Sequence, residues 1–221
     1  MPATFDSRIV GLRELRVLQA CQRRVDSLLG GGAALAGVYL HHRLSADADL
    51  FFRSQEALRE MVSLLPDVAD ETGVDISVRR DAGTFVRVAL SPAQPALEMD
   101  LVFDPTPRIE TAGEPVEGVA VESLADLRAN KLTCILSRSE PRDLVDLLFL
   151  DRAGYPPERD LPLALRKDAG LDPGVLAWLL GQFPVDPLPR MLVPLERSEL
   201  LAFRDSLGDR LRQVGVPRGS P

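Results

Sequence analysis

Residues 43–52 read RLSADADLFF. In an extended chain, side chains two apart share a face at a separation of about 7 Å. Ser45, Asp47 and Asp49 therefore lie on one face of this segment, with Ala46, Ala48 and Leu50 on the other. Aspartate is disfavoured in strands and is almost never buried without a partner, so this pair needs positive charge opposite it. Two carboxylates at this spacing suit a pair of divalent cations about 3.5–4 Å apart, the arrangement used in two-metal phosphoryl or nucleotidyl transfer.

Asp100 alternates with Met99 and Leu101 in ALEMDLVF (96–103) and so points away from that segment's apolar face. If this strand lies beside 46–52, Asp100 becomes a third carboxylate of the same site; otherwise it is a solvent-facing strand residue. Gly30, Gly31 and Gly32 precede a short apolar stretch. Such a run can simply end a helix, or it can aim backbone N–H groups and a helix N-terminus at a phosphate. The order of glycine turn, short helix and then a strand carrying Asp-x-Asp favours the second reading.

The elements that must position these residues follow from hydrophobic spacing. Apolar residues from Ile9 to Leu29 recur at mostly helical intervals, predicting a helix over 7–29 stopped by the glycines. A short helix is expected over AALAGVYLHH and a strand over 46–52. A helix is expected over 54–71, with Ser54 as N-cap and Pro66 as a kink or early end. Strands are expected at 74–80, 84–90 and, after a proline-bearing turn, 96–103, with an antiparallel meander the economical arrangement. A Pro-, Gly- and Thr-rich loop spans 104–118. Helices are then expected at 123–138, 141–153, 158–168, 172–182 and 195–213, before a frayed PRGSP tail.

Composition narrows the class of protein. The 221 residues are 45% hydrophobic and 27% charged, as in an ordinary globular protein, and no apolar run approaches the roughly 20 residues that cross a bilayer. The N-terminus has no secretory pattern, so a cytoplasmic location is expected. A net charge of −7 argues against non-specific coating of nucleic acid. Cys21 and Cys134 are expected to be reduced, and with the adjacent His41 and His42 they do not make a zinc motif. Of 26 basic residues, Lys131 and Lys167 are the only lysines.

GGAAL (31–35) followed by HRLSADADLF (42–51) resembles the signature of the nucleotidyltransferase superfamily that includes DNA polymerase β, and in particular the AbiEii/AbiGii-type toxin family. SLADLRANKLTCILSRSEPRDLVDLLFL (123–150) is similar to that family's later motif, a helix-borne lysine followed by R…RD-x-x-D. Together with Asp100 these segments cover about 28–152. One departure is Ala33, where the family commonly has Thr or Ser.

The resemblance implies an α+β fold, with a nucleotidyltransferase-like mixed or antiparallel sheet and flanking helices (1–118) followed by a helical region (119–221) that completes the active site. It implies that Asp47 and Asp49, with Asp100, bind two Mg²⁺ ions; that Gly31 and Gly32 shape the phosphate turn; and that Ser45 approaches the triphosphate of an NTP. Lys131 would meet the nucleotide phosphates and Asp143 would orient Lys131 or a metal-bound group, with Asp146 next on the same helical face. The implied acceptor is RNA, with the tRNA 3′ end suggested by relatives, or a protein. The implied setting is a toxin with a cognate antitoxin, in a type IV-like or phage-defence system. Two other readings stand beside it: an antibiotic-modifying nucleotidyltransferase and a catalytically silent nucleotide-binding protein. His42 and Arg43 can touch substrate or be structural, Arg138 and Arg142 can contact phosphate or pair locally with Glu140 and Asp143, and the arginines at 8, 13, 16, 23 and 24 make an RNA surface or a solvated face.

Overall fold

The computed structural model describes residues 3–91 and 97–215. The proline-bearing turn expected before residue 97 and the PRGSP tail lie outside the described residues. The chain forms two compact units. One comprises the chain up to Thr106 together with Thr111–Ser123; the other comprises Pro107–Glu110 and the chain from Leu124 onward.

The first unit is built on a five-stranded sheet. Helix α1 (Leu12–Arg24) leads to β1 (Leu28–Gly30), a short helix α2 (Gly31–Ala34) that widens into π-helical turns over Leu35–Leu40, and β2 (Asp47–Phe52). Helices α3 (Gln55–Ser63) and α4 (Leu65–Thr72) follow, then β3 (Asp75–Asp81), β4 (Phe85–Ser91) and β5 (Leu97–Phe103). The strand order is β1-β2-β5-β4-β3. The expected meander is present in β3, β4 and β5, but β5 pairs with β2 in parallel, so the sheet is mixed.

Two expectations are corrected here. The first helix ends at Arg24, and Val25 is already extended. Leu28–Gly30 leaves the helix because its backbone pairs antiparallel with β2, placing Leu28 opposite Phe51 and Gly30 opposite Asp49. Helical spacing could not reveal this, since a run of three residues fits either period. Residues 119–122 then cover the outer edge of β1: Leu29 N–H donates to Ala120 O at 3.0 Å, and Glu122 N–H donates to Leu29 O at 2.9 Å. The helix expected over 54–71 is two helices. Ser54 caps the first by accepting from Ala57 N–H at 3.0 Å, and Pro66 opens the second, where its missing N–H costs no helical bond.

Strand alternation sorts the sheet into two faces. Leu50, Phe52, Val86, Val88, Leu90, Met99 and Leu101 are each at most 1% exposed and form the core. Burying each such side chain contributes about 1.5–3 kcal/mol, which fixes the register and turns Asp47, Asp49 and Asp100 to the opposite face.

The second unit is helical: α5 (Leu124–Ser137), α6 (Pro141–Arg152), a 3₁₀ turn (Pro157–Asp160), α7 (Leu161–Lys167), α8 (Pro173–Leu180) and α9 (Arg197–Gly215). Asp172 caps α8 by accepting from Val175 N–H at 2.9 Å. Among the described residues, no helix is long and apolar enough to cross a membrane.

Candidate active site

Asp47 and Asp49 leave the same face of β2 and are half-buried. Parallel pairing sets Asp49 directly beside Asp100 and Asp47 beside Glu98. Beyond Asp100, the antiparallel β4 presents Arg87 in register, and β3 presents Arg80 opposite Arg87. One row across the sheet therefore reads Gly30, Asp49, Asp100, Arg87, Arg80. Cross-strand neighbours on one face have Cβ atoms about 4.5–5.5 Å apart, so the third carboxylate reaches the site the sequence pointed to.

Asp100 is 4% exposed rather than solvent-facing, and it is gripped by Arg87. Arg87 Nε donates to Asp100 Oδ1 at 2.8 Å and Nη2 donates to Oδ2 at 2.8 Å, a two-pronged fork that matches guanidinium to carboxylate. Arg87 Nη1 also lies 3.2 Å from Glu98 Oε2. The hydrogen bonds from Arg87 to Asp100, joined by the nearby charges of Glu98 and Asp47, raise the arginine pKa above its ordinary value.

The glycine turn packs on the carboxylates. Gly31 has φ +60°, and a Cβ there would sit 1.9 Å from Asp49 Oδ2. A Cβ on Gly32 would sit 2.8 Å from Arg43 Nη2 and 2.9 Å from Ser45 Oγ. The absence of side chains at 31 and 32 thus lets the turn close against Asp49, Arg43 and Ser45. Ser45 Oγ is buried without a hydrogen-bond partner among the described residues. An orphaned hydroxyl beside bare backbone is an opening for a phosphate oxygen, because buried polar groups are otherwise paired. Ala33, at 1% exposed, packs in the core.

The donor set fits a hard divalent cation, which prefers carboxylate oxygens. Among the described residues no group of three or more His, Cys, Asp or Glu side chains stands ready to hold one. Asp100 is in the Arg87 fork, and Asp47 and Asp49 lie on the same strand face.

Lys131 and Asp143 come together in the helical unit. Lys131, on α5, donates from Nζ to Asp143 Oδ1 at 3.0 Å and lies 2.7 Å from Asp146 Oδ2. Arg138 forks onto Asp143, Nε to Oδ2 at 2.8 Å and Nη2 to Oδ1 at 2.9 Å. Both aspartates are 0% exposed and Lys131 is 3% exposed. Two cations meet two carboxylates, which balances charge in a place where unpaired ions are costly. Burial pushes the Asp143 pKa up, but Lys131 and Arg138 outweigh it and leave it below the ordinary carboxylate range.

The remaining candidates are more ordinary. His42 and Arg43 are buried, and Arg43 Nη1 donates to Leu44 O at 2.9 Å. Arg142 pairs with Glu140 at 2.5 Å. In the N-terminal arginine stripe, Arg8 pairs with Asp6, and Arg23 and Arg24 both pair with Glu71. Cys21 and Cys134 are free thiols, and burial pushes Cys21 up to about 12, which leaves it unreactive. The second lysine, Lys167, is held 2.6 Å from Asp126. The site residue that strand spacing missed is Arg87. Arg87 alternates with Val86 and Val88, but only the β4–β5 register gives it a partner.

A mixed sheet with Asp-x-Asp on a strand entered from a glycine turn, followed by a helical region, is a nucleotidyltransferase-like fold. The chain matches a Helicobacter pylori structure provisionally assigned as a nucleotidyltransferase, with a TM-score of 0.56, 21% identity, and 90% of this chain and 92% of that one covered. It also matches the H. pylori protein JHP933, with a TM-score of 0.57, 20% identity, and 96% and 94% covered. At these identities the likeness is one of fold. No curated protein matches the chain. The family model described as nucleotidyl transferase AbiEii toxin, type IV toxin–antitoxin system, matches residues 16–213. The chain belongs to this family of nucleotidyltransferases.

Proposed function

We propose that the protein transfers a nucleoside monophosphate from an NTP to an acceptor, with RNA, and the tRNA 3′ end in particular, as the acceptor class. The observation that carries the reading is the packing of the Gly31–Gly32 turn on Asp49, with the orphaned Ser45 hydroxyl beside it. Backbone N–H groups of the turn and Ser45 Oγ hold the triphosphate. Asp47 and Asp49, with Asp100, would hold Mg²⁺, which would neutralise phosphate charge and lower the pKa of the acceptor hydroxyl. The chain's own carboxylates keep the reacting groups oriented.

Lys131, the lysine of the family motif, is held by Asp143 and Asp146 inside the helical unit. A cognate antitoxin is the protein partner that the family implies. A catalytically silent descendant is the reading that Ala33 favours, since a family hydroxyl is replaced there by a buried methyl.

The test is radiolabel transfer from each of the four NTPs in Mg²⁺, with total RNA, cell protein or aminoglycosides offered as acceptors. Label on RNA supports the proposal, and label on protein or antibiotic redirects the acceptor. If wild type labels nothing, and Asp47→Ala binds NTP as well as wild type does, the enzyme reading is wrong. Toxicity on expression that disappears with Asp49→Ala, in a variant shown to fold, would support the toxin role.

A further inference from the structure

The β3 end of the polar sheet face is basic. The register of β3 against β4 slips by one between Val78 and Arg80, so that two arginines, Arg79 and Arg80, oppose the single Arg87. Such a bulge re-aims side chains and is common beside active sites. Like charges directly opposite each other destabilise a sheet. Arg87 is compensated, since it forks onto Asp100 at 2.8 Å and lies 3.2 Å from Glu98. Arg80 is exposed and, among the described residues, forms no ion pair. Its guanidinium lies over the half-buried Phe85 ring, 5.9 Å from the centroid. Phe85 therefore orders Arg80 without neutralising it. A cation already ordered costs less side-chain freedom to engage, and its charge is available to an anion.

The sign of charge changes along one row of the face. From Asp49 the row runs through Asp100 and Arg87 to Arg80, three inter-strand steps of about 4.7–4.9 Å each and so about 14 Å in all. The chain carries −7 overall, so a phosphate backbone can be held only where basic residues cluster locally. We propose that Arg79 and Arg80, the latter ordered by Phe85, form the landing surface for the sugar–phosphate backbone of a single-stranded RNA acceptor, whose terminal hydroxyl then extends along the row toward Asp49. The proposal rests on the reading of RNA as the acceptor and deepens it by naming the residues that hold the acceptor. Arginine suits the task because its planar fork matches phosphate, and contacts of this kind carry no sequence preference.

The test reads RNA binding without turnover. A fluorescein-labelled single-stranded RNA dodecamer is titrated with NTP-free protein in EDTA and followed by anisotropy at a series of salt concentrations. The proteins are wild type, Arg80→Gln, the double variant Arg79→Gln/Arg80→Gln, Phe85→Leu and, as a control, Arg16→Gln at an exposed position of α1, each checked for folding by circular dichroism. Arg80→Gln is expected to weaken binding about fivefold and to make the slope of log affinity against log salt shallower by about 0.7, the loss of one phosphate contact to a single strand. The double variant is expected to lose about 1.4 in slope. Phe85→Leu keeps both charges and is expected to bind with an affinity between those of wild type and Arg80→Gln, at the wild-type slope. Arg16→Gln is expected to stay within about twofold of wild type, because salt screens a charge that makes no contact. In the RNA-labelling assay Arg80→Gln is expected to raise the acceptor KM by the factor lost in binding and to leave kcat within about twofold of wild type.

Wild-type affinity and slope in Arg80→Gln overturn the proposal. An equal loss in Arg16→Gln overturns it too, since affinity would then follow net charge. So does equally tight binding of a glutamate dodecapeptide, which would make the patch a surface for acidic protein. Label transferred to RNA by Arg80→Gln at the wild-type KM removes the landing surface and leaves RNA as the acceptor. If instead Arg80→Gln loses RNA binding as expected while wild type labels no RNA, the RNA surface is supported and the transfer reading falls, so the two fail separately.

Discussion

Asp49 and Asp100 stand side by side on parallel neighbouring strands, in register and on the same face, although 51 positions separate them in the chain. Neighbouring like charges destabilise a sheet unless something compensates them. Arg87 compensates Asp100, and on our account Mg²⁺ would bring further positive charge to Asp49 and Asp47. Asp49→Asn is expected to reduce nucleotidyl transfer by about 10²-fold or more, the scale of losing a group that stabilises transition-state charge. Parallel activity and thermal-melt measurements check this outcome; a drop in both together would mean that Asp49 is structural.

The glycine turn makes a second prediction. Gly31→Ala places a methyl group where Asp49 Oδ2 now lies, at a φ of +60° that L residues rarely adopt. The expected cost is about 1–3 kcal/mol from backbone strain, with loss of transfer as Asp49 is displaced. Urea unfolding gives the first quantity and the labelling assay the second.

Ser45→Ala separates binding from folding. Its hydroxyl is buried without a partner, and removing such a group is close to neutral for stability. If Ser45 Oγ donates to a phosphate, NTP binding should weaken by roughly threefold to tenfold, the worth of one hydrogen bond of about 0.5–1.5 kcal/mol. Titration calorimetry with a non-hydrolysable NTP measures this, and unchanged affinity would remove Ser45 from the site.

The Lys131–Asp143–Asp146 cluster makes stability depend on pH. The folded Asp143 pKa lies below its unfolded value, so the folded state binds fewer protons at this group. Its contribution is present in full above the unfolded carboxylate range and is lost as pH falls through the folded pKa. Lys131→Met is expected to destabilise by about 3–5 kcal/mol at pH 7, because it removes a buried cation from between Asp143 and Asp146 and leaves Arg138 to hold Asp143. The deficit relative to wild type should shrink as pH falls and the carboxylates protonate. Urea midpoints of both proteins at a series of pH values test the direction.

Local pattern carried much of this protein. Alternation placed Asp47, Asp49 and Asp100 on the polar faces of their strands, and Ser54 and Pro66 marked helix boundaries that the structure keeps. What local pattern lacks is strand order. Nothing in 96–103 says that it pairs in parallel with 47–52, or that Arg87 lies across from Asp100, because both depend on which edges the helices leave open. Leu28–Gly30 was hidden for the same reason: it is a strand only because β2 lies beside it. The buried Lys131 cluster was partly visible in the three-residue spacing of Asp143 and Asp146, but the fork from Arg138 depends on the turn between α5 and α6.

The most direct test of the central claim compares two labels of the same nucleotide. NTP labelled at the α-phosphate or at the γ-phosphate is incubated with RNA, Mg²⁺ and either wild type or Asp47→Asn. The account predicts that RNA takes up the α-label and not the γ-label, and that Asp47→Asn or chelation of the metal abolishes uptake. Uptake of the γ-label, or α-label uptake that survives in Asp47→Asn, would contradict it.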